Sequence, residues 1–251
     1  IMPVYNEAAT VREVLELLVK KDFCGLEKEI VIVESNSSDG TREIVKEYGN
    51  NPFVKLVFED EPRGKGHGVR TGLSRATGGI IAIQDGDLEY DIEDYDRLLK
   101  PIINYERAFV LGSRHSGSVK MRSFEKNRLL SDIMNIGHLI FTWMINISCG
   151  TKLKDPFTMY KIFRKDCLFG LKLESNRFDL DWEIATKLLK KGYNALEIPI
   201  SYVSRPYSEG KKVSFLLDPL LWLKAWVKFG FKRSSFDKDL VAEEYNSSNK
   251  L

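Results

Sequence analysis

The sequence predicts an α/β fold with a mostly parallel central sheet flanked by helices, on three observations. Short β-branched apolar runs recur through the first half, at 30–33, 54–58, 80–83 and 108–111. Amphipathic helical patterns separate them, the alternation expected of βαβ units. The unusual polar residues come directly after the apolar runs, where ligands bind in sheets of this kind.

The elements follow in order. Ile1-Met2-Pro3-Val4 reads as the end of a buried strand, so the N-terminus is expected to be truncated within it. Val11, Val14, Leu15, Leu18 and Val19 share one face of a first helix. Ile30 to Val33 is a buried strand, and Ile44, Val45 and Tyr48 mark a second helix after the turn at Asp39-Gly40. Val69, Leu73 and Ala76 define a third helix between the strands Val54–Phe58 and Ile80–Ile83, and Tyr95, Leu98 and Leu99 a fourth before Ala108–Leu111. The second half is less regular. It holds a long helix from Glu125 to Ile147, a helix from Asp181 to Lys191 ended by Gly192, and a strand in which Leu196, Ile198, Ile200 and Tyr202 alternate. An aromatic-rich amphipathic stretch runs from Val213 to Phe231, and the chain is polar from Ser234 onward. Residues 1–233 are expected to form one domain in two halves, 1–115 and 116–233, and 234–251 a polar tail or linker.

Composition excludes several classes. The 251 residues carry 38 Lys and Arg against 36 Asp and Glu, a net charge of +2, so nothing global points to nucleic acid. Cys24, Cys149 and Cys167 are scattered and odd in number, which fits a reducing compartment better than a disulfide framework. No signal peptide is visible. No apolar run reaches the roughly 18–20 residues of a spanning helix, because Arg128, Asp132 and His138 interrupt one stretch and Asp218, Lys224 and Lys228 the other.

Four segments carry the chemistry. Asp85-Gly86-Asp87 follows the strand at 80–83, and two carboxylates one residue apart at a strand end can share a hard divalent cation. Glu89 is the candidate third ligand; the alternative is a solvated acidic turn. Pro3-Val4-Tyr5-Asn6-Glu7 ends the first strand. Glu34 to Thr41 ends the second: Glu34 and Asp39 either accept hydrogen bonds from a base or ribose, or shape turns and helix caps. In Arg63-Gly64-Lys65-Gly66-His67-Gly68 the glycines let backbone approach a ligand and Lys65 can meet a phosphate, although no Lys-Ser or Lys-Thr completes a phosphate loop.

Taken together, these segments resemble the family 2 glycosyltransferases, whose fold is called GT-A, and within them the dolichol-phosphate mannosyltransferase and polyprenyl-phosphate glycosyltransferase branch. The resemblance spans about residues 1–232 and includes Ser38-Asp39-Gly40-Thr41, Ala76-Thr77-Gly78, Gly112-Ser113-Arg114, Asp155-Pro156-Phe157-Thr158, and Arg205 with Glu209-Gly210-Lys211-Lys212. It implies a nucleotide-diphospho-sugar transferase fold with C-terminal amphipathic helices. Pro3, Tyr5, Glu7 and Asp39 would line a nucleoside pocket, Glu34 would hold base or ribose, and Asp85, Asp87 and Glu89 would hold Mg²⁺ or Mn²⁺ against the diphosphate. Arg114, Arg205 and Lys211, with Arg128 as a further candidate, would contact phosphates of donor or acceptor. Glu34 stands where the family usually has Asp, Gly86 where it has Ala, and Glu89 where this branch often has Gln.

The expected activity is inverting transfer of a hexose from GDP-mannose or a UDP-hexose to a polyprenyl or dolichyl phosphate. A phosphate acceptor is ionised at neutral pH and needs positioning more than a base. A saccharide or other soluble acceptor is the alternative, and it would need a base, for which Asp155 is the first candidate, its other role being a structural turn before Pro156. A non-catalytic nucleotide-sugar-binding module is the reading outside the enzymes. A dinucleotide dehydrogenase is disfavoured, since no Gly-x-Gly-x-x-Gly turn follows the first strand. A lipid acceptor requires peripheral membrane contact or a membrane partner, at the cytoplasmic face. Trp222 and Trp226 share one helical face and Lys224, Lys228 and Lys232 another, which suits either an interfacial helix or one packed on the domain.

Overall fold

The second strand organises the molecule. The computed structural model describes residues 1–115, 128–205 and 217–231, leaving Lys211 and the side chain of Arg128 outside the described residues. Strand β2 (Ile30–Glu34) is buried at all five positions, the pattern of a central strand covered on both faces. It pairs in parallel with β1 (Met2–Val4) in the register Met2 opposite Ile32, and with β3 (Val54–Phe58) in the register Ile30 opposite Val54. The helices α1 (Val11–Lys20) and α2 (Thr41–Lys46) connect these strands, and α1 buries Val11, Val14, Leu15 and Leu18, the predicted face.

Helix α3 (Lys65–Arg75) packs on β1 and β2 and leads to β4 (Ile80–Ala82). The backbone of Ile1 donates to the Ala82 carbonyl at 2.8 Å and accepts from Gln84 N at 2.9 Å, which ties β1 to β4. Helix α4 (Tyr95–Ile103), strand β5 (Phe109–Ser113) and helix α5 (Arg128–Cys149) follow. The chain returns through β6 (Lys161–Arg164), helix α6 (Leu180–Lys190), β7 (Leu196–Pro199) and α7 (Leu217–Ala225), the last continuing into a wide turn at Trp226–Gly230.

The second group of strands runs β4-β6-β5-β7. With the Ile1 link, the full order is β3-β2-β1-β4-β6-β5-β7. Strand β6 is antiparallel to both its neighbours, with Phe163 opposite Ile81 and Phe109. The sequence reading contained no strand here, because Lys161 and Arg164 break a four-residue run into something that resembles a loop. The last strand ends at Pro199, short of the predicted Tyr202, which instead bridges to Tyr90.

The strand order reverses at β1: the chain builds outward through β2 and β3, then resumes on the other side with β4. The crevice beyond the ends of β1 and β4 is therefore the topological switch point, where ligands bind in open α/β sheets.

A second small core, Met144, Ile145, Trp182, Ala185, Ala225 and Phe229, joins α5, α6 and the C-terminal turn. It settles the packing of the C-terminal stretch. Trp222 meets Phe141 edge-on at 5.3 Å and the Trp226 indole donates to Ser148 Oγ at 2.7 Å, so the tryptophan face is turned onto α5. Lys228 pairs with Glu174 at 2.7 Å. The predicted aromatic face is thus half-buried against the domain, and the exposed apolar residues there are Leu217, Leu220, Leu223, Val227 and Phe231.

Candidate active site

A cavity of about 640 Å³ opens at the switch point. Of the predicted residues, Pro3, Tyr5, Glu7, Lys65, Asp85, Gly86, Asp87, Glu89, Arg114 and Arg205 all line it. They come from loops far apart in the sequence, and a hydrogen bond of 2.8 Å from Thr10 Oγ1 to the Gly86 carbonyl fastens the loop after β1 to the loop after β4.

Glu34 and Asp39 do not line it. Glu34 is fully buried; one carboxylate oxygen accepts from Ser37 N at 2.6 Å and the other from Arg42 Nε. Asp39 accepts from Ala8 N and Thr41 N, both at 3.0 Å, and from the Thr41 hydroxyl at 2.6 Å. Both carboxylates shape the loop, the turn-and-cap alternative, because the nearest unsatisfied backbone N–H groups claim their oxygens. Ser35, which no motif marked, does line the cavity and donates to Glu59 Oε2 at 2.7 Å.

The glycines around Lys65 also have a different reason from the one expected. A Cβ on Gly64 would fall 2.5 Å from the Asn176 carbonyl oxygen, and one on Gly66 2.7 Å from those of Ser175 and Arg177. What approaches these glycines is the chain's own 175–177 segment, and His67 N donates to Asn176 O at 3.0 Å. Close packing at Gly66 against rigid carbonyls predicts that Gly66→Ala lowers stability by about 1–3 kcal/mol, to be read as a fall in Tm. Gly86 is similarly tight, with Val4 Cγ1 2.8 Å from a built Cβ.

Electrostatics dominate the polar lining. Arg205 reaches Glu7 at 2.9 Å, Asp87 at 2.6 Å and Glu89 at 3.6 Å, and Lys65 pairs with Asp85. Burial, then the charges of Asp85 and Glu89, push the Asp87 carboxyl up to about 7, against the pull of Arg205 and Lys65. Crowded carboxylates of this kind are suited to a further cation. Glu89, however, gives its oxygens to the Tyr202 hydroxyl at 2.7 Å and Arg205 N at 2.9 Å. Among the described residues no three His, Cys, Asp or Glu side chains converge on one metal position, so the predicted three-carboxylate set is not assembled. Asp85 and Asp87 remain, an all-oxygen pair of the sort that holds Mg²⁺ or Mn²⁺ together with ligand phosphates.

Asp155 is not placed as a base. It is fully buried, outside the cavity lining, and receives Arg114 through Nε and Nη2, each at 2.7 Å, and through backbone N at 2.9 Å. Burial opposes its charge, but Arg114 wins and holds the carboxyl well below the usual range. A general base needs an accessible lone pair and a pKa near the working pH; Asp155 has neither, and its role is to anchor Arg114 at the cavity wall.

The sequence pattern of Glycosyl transferase family 2 matches residues 1–169. The chain belongs to that family. Glycosyltransferase AglJ of Haloferax volcanii is 26% identical over 220 residues, covering 87% of this chain and 65% of that protein. The dolichol-phosphate mannosyltransferase of Pyrococcus furiosus is 27% identical over 214 residues, covering 84% and 58%. The family 2 chain thus spans less than two thirds of the length of either relative. Among solved structures, glucosyl-3-phosphoglycerate synthase of Mycobacterium tuberculosis, in complex with Mn²⁺, UDP-glucose and phosphoglyceric acid, superposes with a TM-score of 0.62 at 16% identity, covering 91% of this chain and 78% of that one. Mannosyltransferase PcManGT of Pyrobaculum calidifontis, with GDP-Man and Mn²⁺, gives 0.53 at 20% identity, covering 98% and 74%. At these identities the likeness establishes the GT-A fold.

The cavity of this family 2 chain is also partly apolar. Ile133, Met134 and Phe141 of α5, Pro219 and Trp222 of α7, and Phe157 and Trp182 contribute apolar lining, with Phe141 and Trp222 in edge-on contact at 5.3 Å. Helix α5 is inverted relative to an ordinary surface helix. Its polar residues Ser131, Asn135, His138 and Thr142 are buried, while Ile133, Ile136, Ile140, Trp143 and Ile147 lie exposed at helical spacing, Trp143 to 63%. Asp181 also lines the cavity, and sequence reading missed it, since an acid in a helix's first turn ordinarily reads as a response to the helix dipole.

Proposed function

We propose that this chain transfers a hexose from a nucleoside-diphosphate sugar to a lipid-linked phosphate. The observation that carries this reading is one cavity lined both by the charged cluster of Asp85, Asp87, Lys65 and Arg205 and by apolar side chains of α5 and α7. A sugar nucleotide offers apolar side chains only the faces of its base, which leaves most of this apolar lining unused. An acceptor with an anionic head and an isoprenoid tail uses both linings.

Asp85 and Asp87 would hold a divalent cation, which when bound supplies Lewis-acid neutralisation of the departing diphosphate. Lys65 places a second positive charge beside the same leaving group. Arg114, its guanidinium held by Asp155 and stacked 5.2 Å over the Tyr202 ring, offers a fixed cation to the acceptor phosphate. No base is required for that acceptor, in agreement with the engagement of Asp155 elsewhere. A single in-line displacement, with inversion, is the expected course.

The exposed aliphatic stripes of α5 and α7, the helices that supply the apolar lining, favour a peripheral seat on a membrane at its cytoplasmic face. No helix among the described residues is long and apolar enough to cross one. All three cysteines are free thiols, which suits a reducing compartment.

The test is direct. The chain is incubated with Mn²⁺, a panel of GDP- and UDP-sugars, and either a polyprenyl phosphate in detergent or a soluble saccharide. Transfer to the lipid phosphate is expected; transfer to the saccharide alone would replace the lipid acceptor with a soluble one.

A further inference from the structure

Lys161 is the first residue of β6, in the middle of the sheet, and is completely buried. A buried ammonium costs several kcal/mol unless it is paired, and replacing such a pair with apolar residues is often neutral or stabilising. The fold therefore has little to gain from it. Its Nζ donates to the Thr158 carbonyl and, at 2.8 Å, to Asp181 Oδ1. Burial pulls the ammonium below the ordinary lysine range, opposed by Asp181.

Asp181, in the first turn of α6, lines the cavity with its side chain 13% exposed. Among the described residues its Oδ2 has no protein partner. Its charge reaches Lys65, which Asp85 holds and which sits 5.6 Å from the ring of Phe178, another lining residue. Asp181 and the Asp85–Asp87 pair thus line one cavity, and Lys65 feels the charge of all three. A largely buried carboxylate there calls for a hydrogen-bond donor. Phosphate oxygens offer none and repel it; the hydroxyls of a hexose carried on the diphosphate are donors.

We propose that Lys161 is a positioning residue that fixes Asp181 as the acceptor for a hydroxyl of the transferred hexose, so that this pair reads the sugar and not the nucleotide. The inference rests on the nucleotide-sugar reading of the cavity. A site built around one hydroxyl discriminates strongly against sugars that lack it, because the carboxylate is otherwise left unpaired.

The experiment is calorimetric titration with Mn²⁺ of wild type, Asp181→Asn and Lys161→Met, comparing GDP with GDP-mannose and UDP with UDP-glucose. For whichever pair the wild type binds, Asp181→Asn is expected to weaken the nucleotide sugar by about tenfold or more while changing the free nucleoside diphosphate less than about twofold. Lys161→Met moves the same ratio in the same direction, which a purely structural lysine would not do; Lys161→Gln replaces it if the Met variant does not fold. Equal losses for both ligands, or unchanged sugar affinity with only turnover reduced, overturn the inference and leave the cavity's function standing. A wild-type protein that binds neither nucleoside diphosphate overturns both.

Discussion

Asp87→Asn is expected to lower sugar transfer by about a thousandfold or more, the scale on which loss of a transition-state charge contact is felt. The exchange keeps shape and volume and removes one negative charge from a site where Asp85, Glu89 and Glu7 already crowd. Arg205 retains Glu7 and Glu89 as partners. Without divalent cation, then, the variant's Tm should equal or exceed that of the wild type, as when a strained functional group is relieved. Chelation with EDTA should reproduce the loss of activity in the wild type, and Asp85→Asn should match Asp87→Asn. An Asn variant that transferred sugar at the wild-type rate would remove the metal-binding pair from the mechanism.

Asp155→Asn should fail differently. It removes the charge that compensates Arg114 inside the protein, and breaking one side of a buried ion pair costs about 3–5 kcal/mol. A fall in Tm on the order of 10 °C follows for a domain of this size. The pH dependence has a definite sign. Asp155 is held below its unfolded value of roughly 3.9, so its contribution to stability is present above that pH and fades as pH falls toward the folded value. Wild type and variant should therefore differ most at neutral pH, and the difference should narrow progressively as pH falls below about 4, as thermal melts at neutral and successively more acidic pH would show. Activity should fall with Arg114's loss of anchorage. If Asp155→Asn instead kept its Tm and lost only turnover, Asp155 would be the base that the structure argues against.

The two variants separate two kinds of carboxylate that look alike in the sequence. Both Asp87 and Asp155 are aspartates in short turn-like segments, Asp87 after Gly86 and Asp155 before Pro156. What distinguishes them is the company brought in by the fold: Asp87 shares one arginine with two other acids, whereas Asp155 has Arg114 to itself through three hydrogen bonds. Glu34 and Asp39 belong with Asp155, since their oxygens are spent on loop N–H groups and Arg42. The exposed aliphatic stripe on α5 was likewise hidden, because the sequence shows a broad apolar face without saying which side the domain covers.

Read alone, the amino-acid sequence specifies the alternation of strands and helices and the placement of the polar segments at strand ends. These depend on periodicity and on chain direction, which are local properties. The antiparallel insertion of β6 between β4 and β5, the room that Gly64 and Gly66 make for residues 175–177, and the reach of Lys161 to Asp181 come from the packed fold, together with the crevice at β1 and β4. Each of these is a contact made across the fold, and whether a charge binds a ligand or braces the chain depends on which neutralising partner lies within about 3 Å.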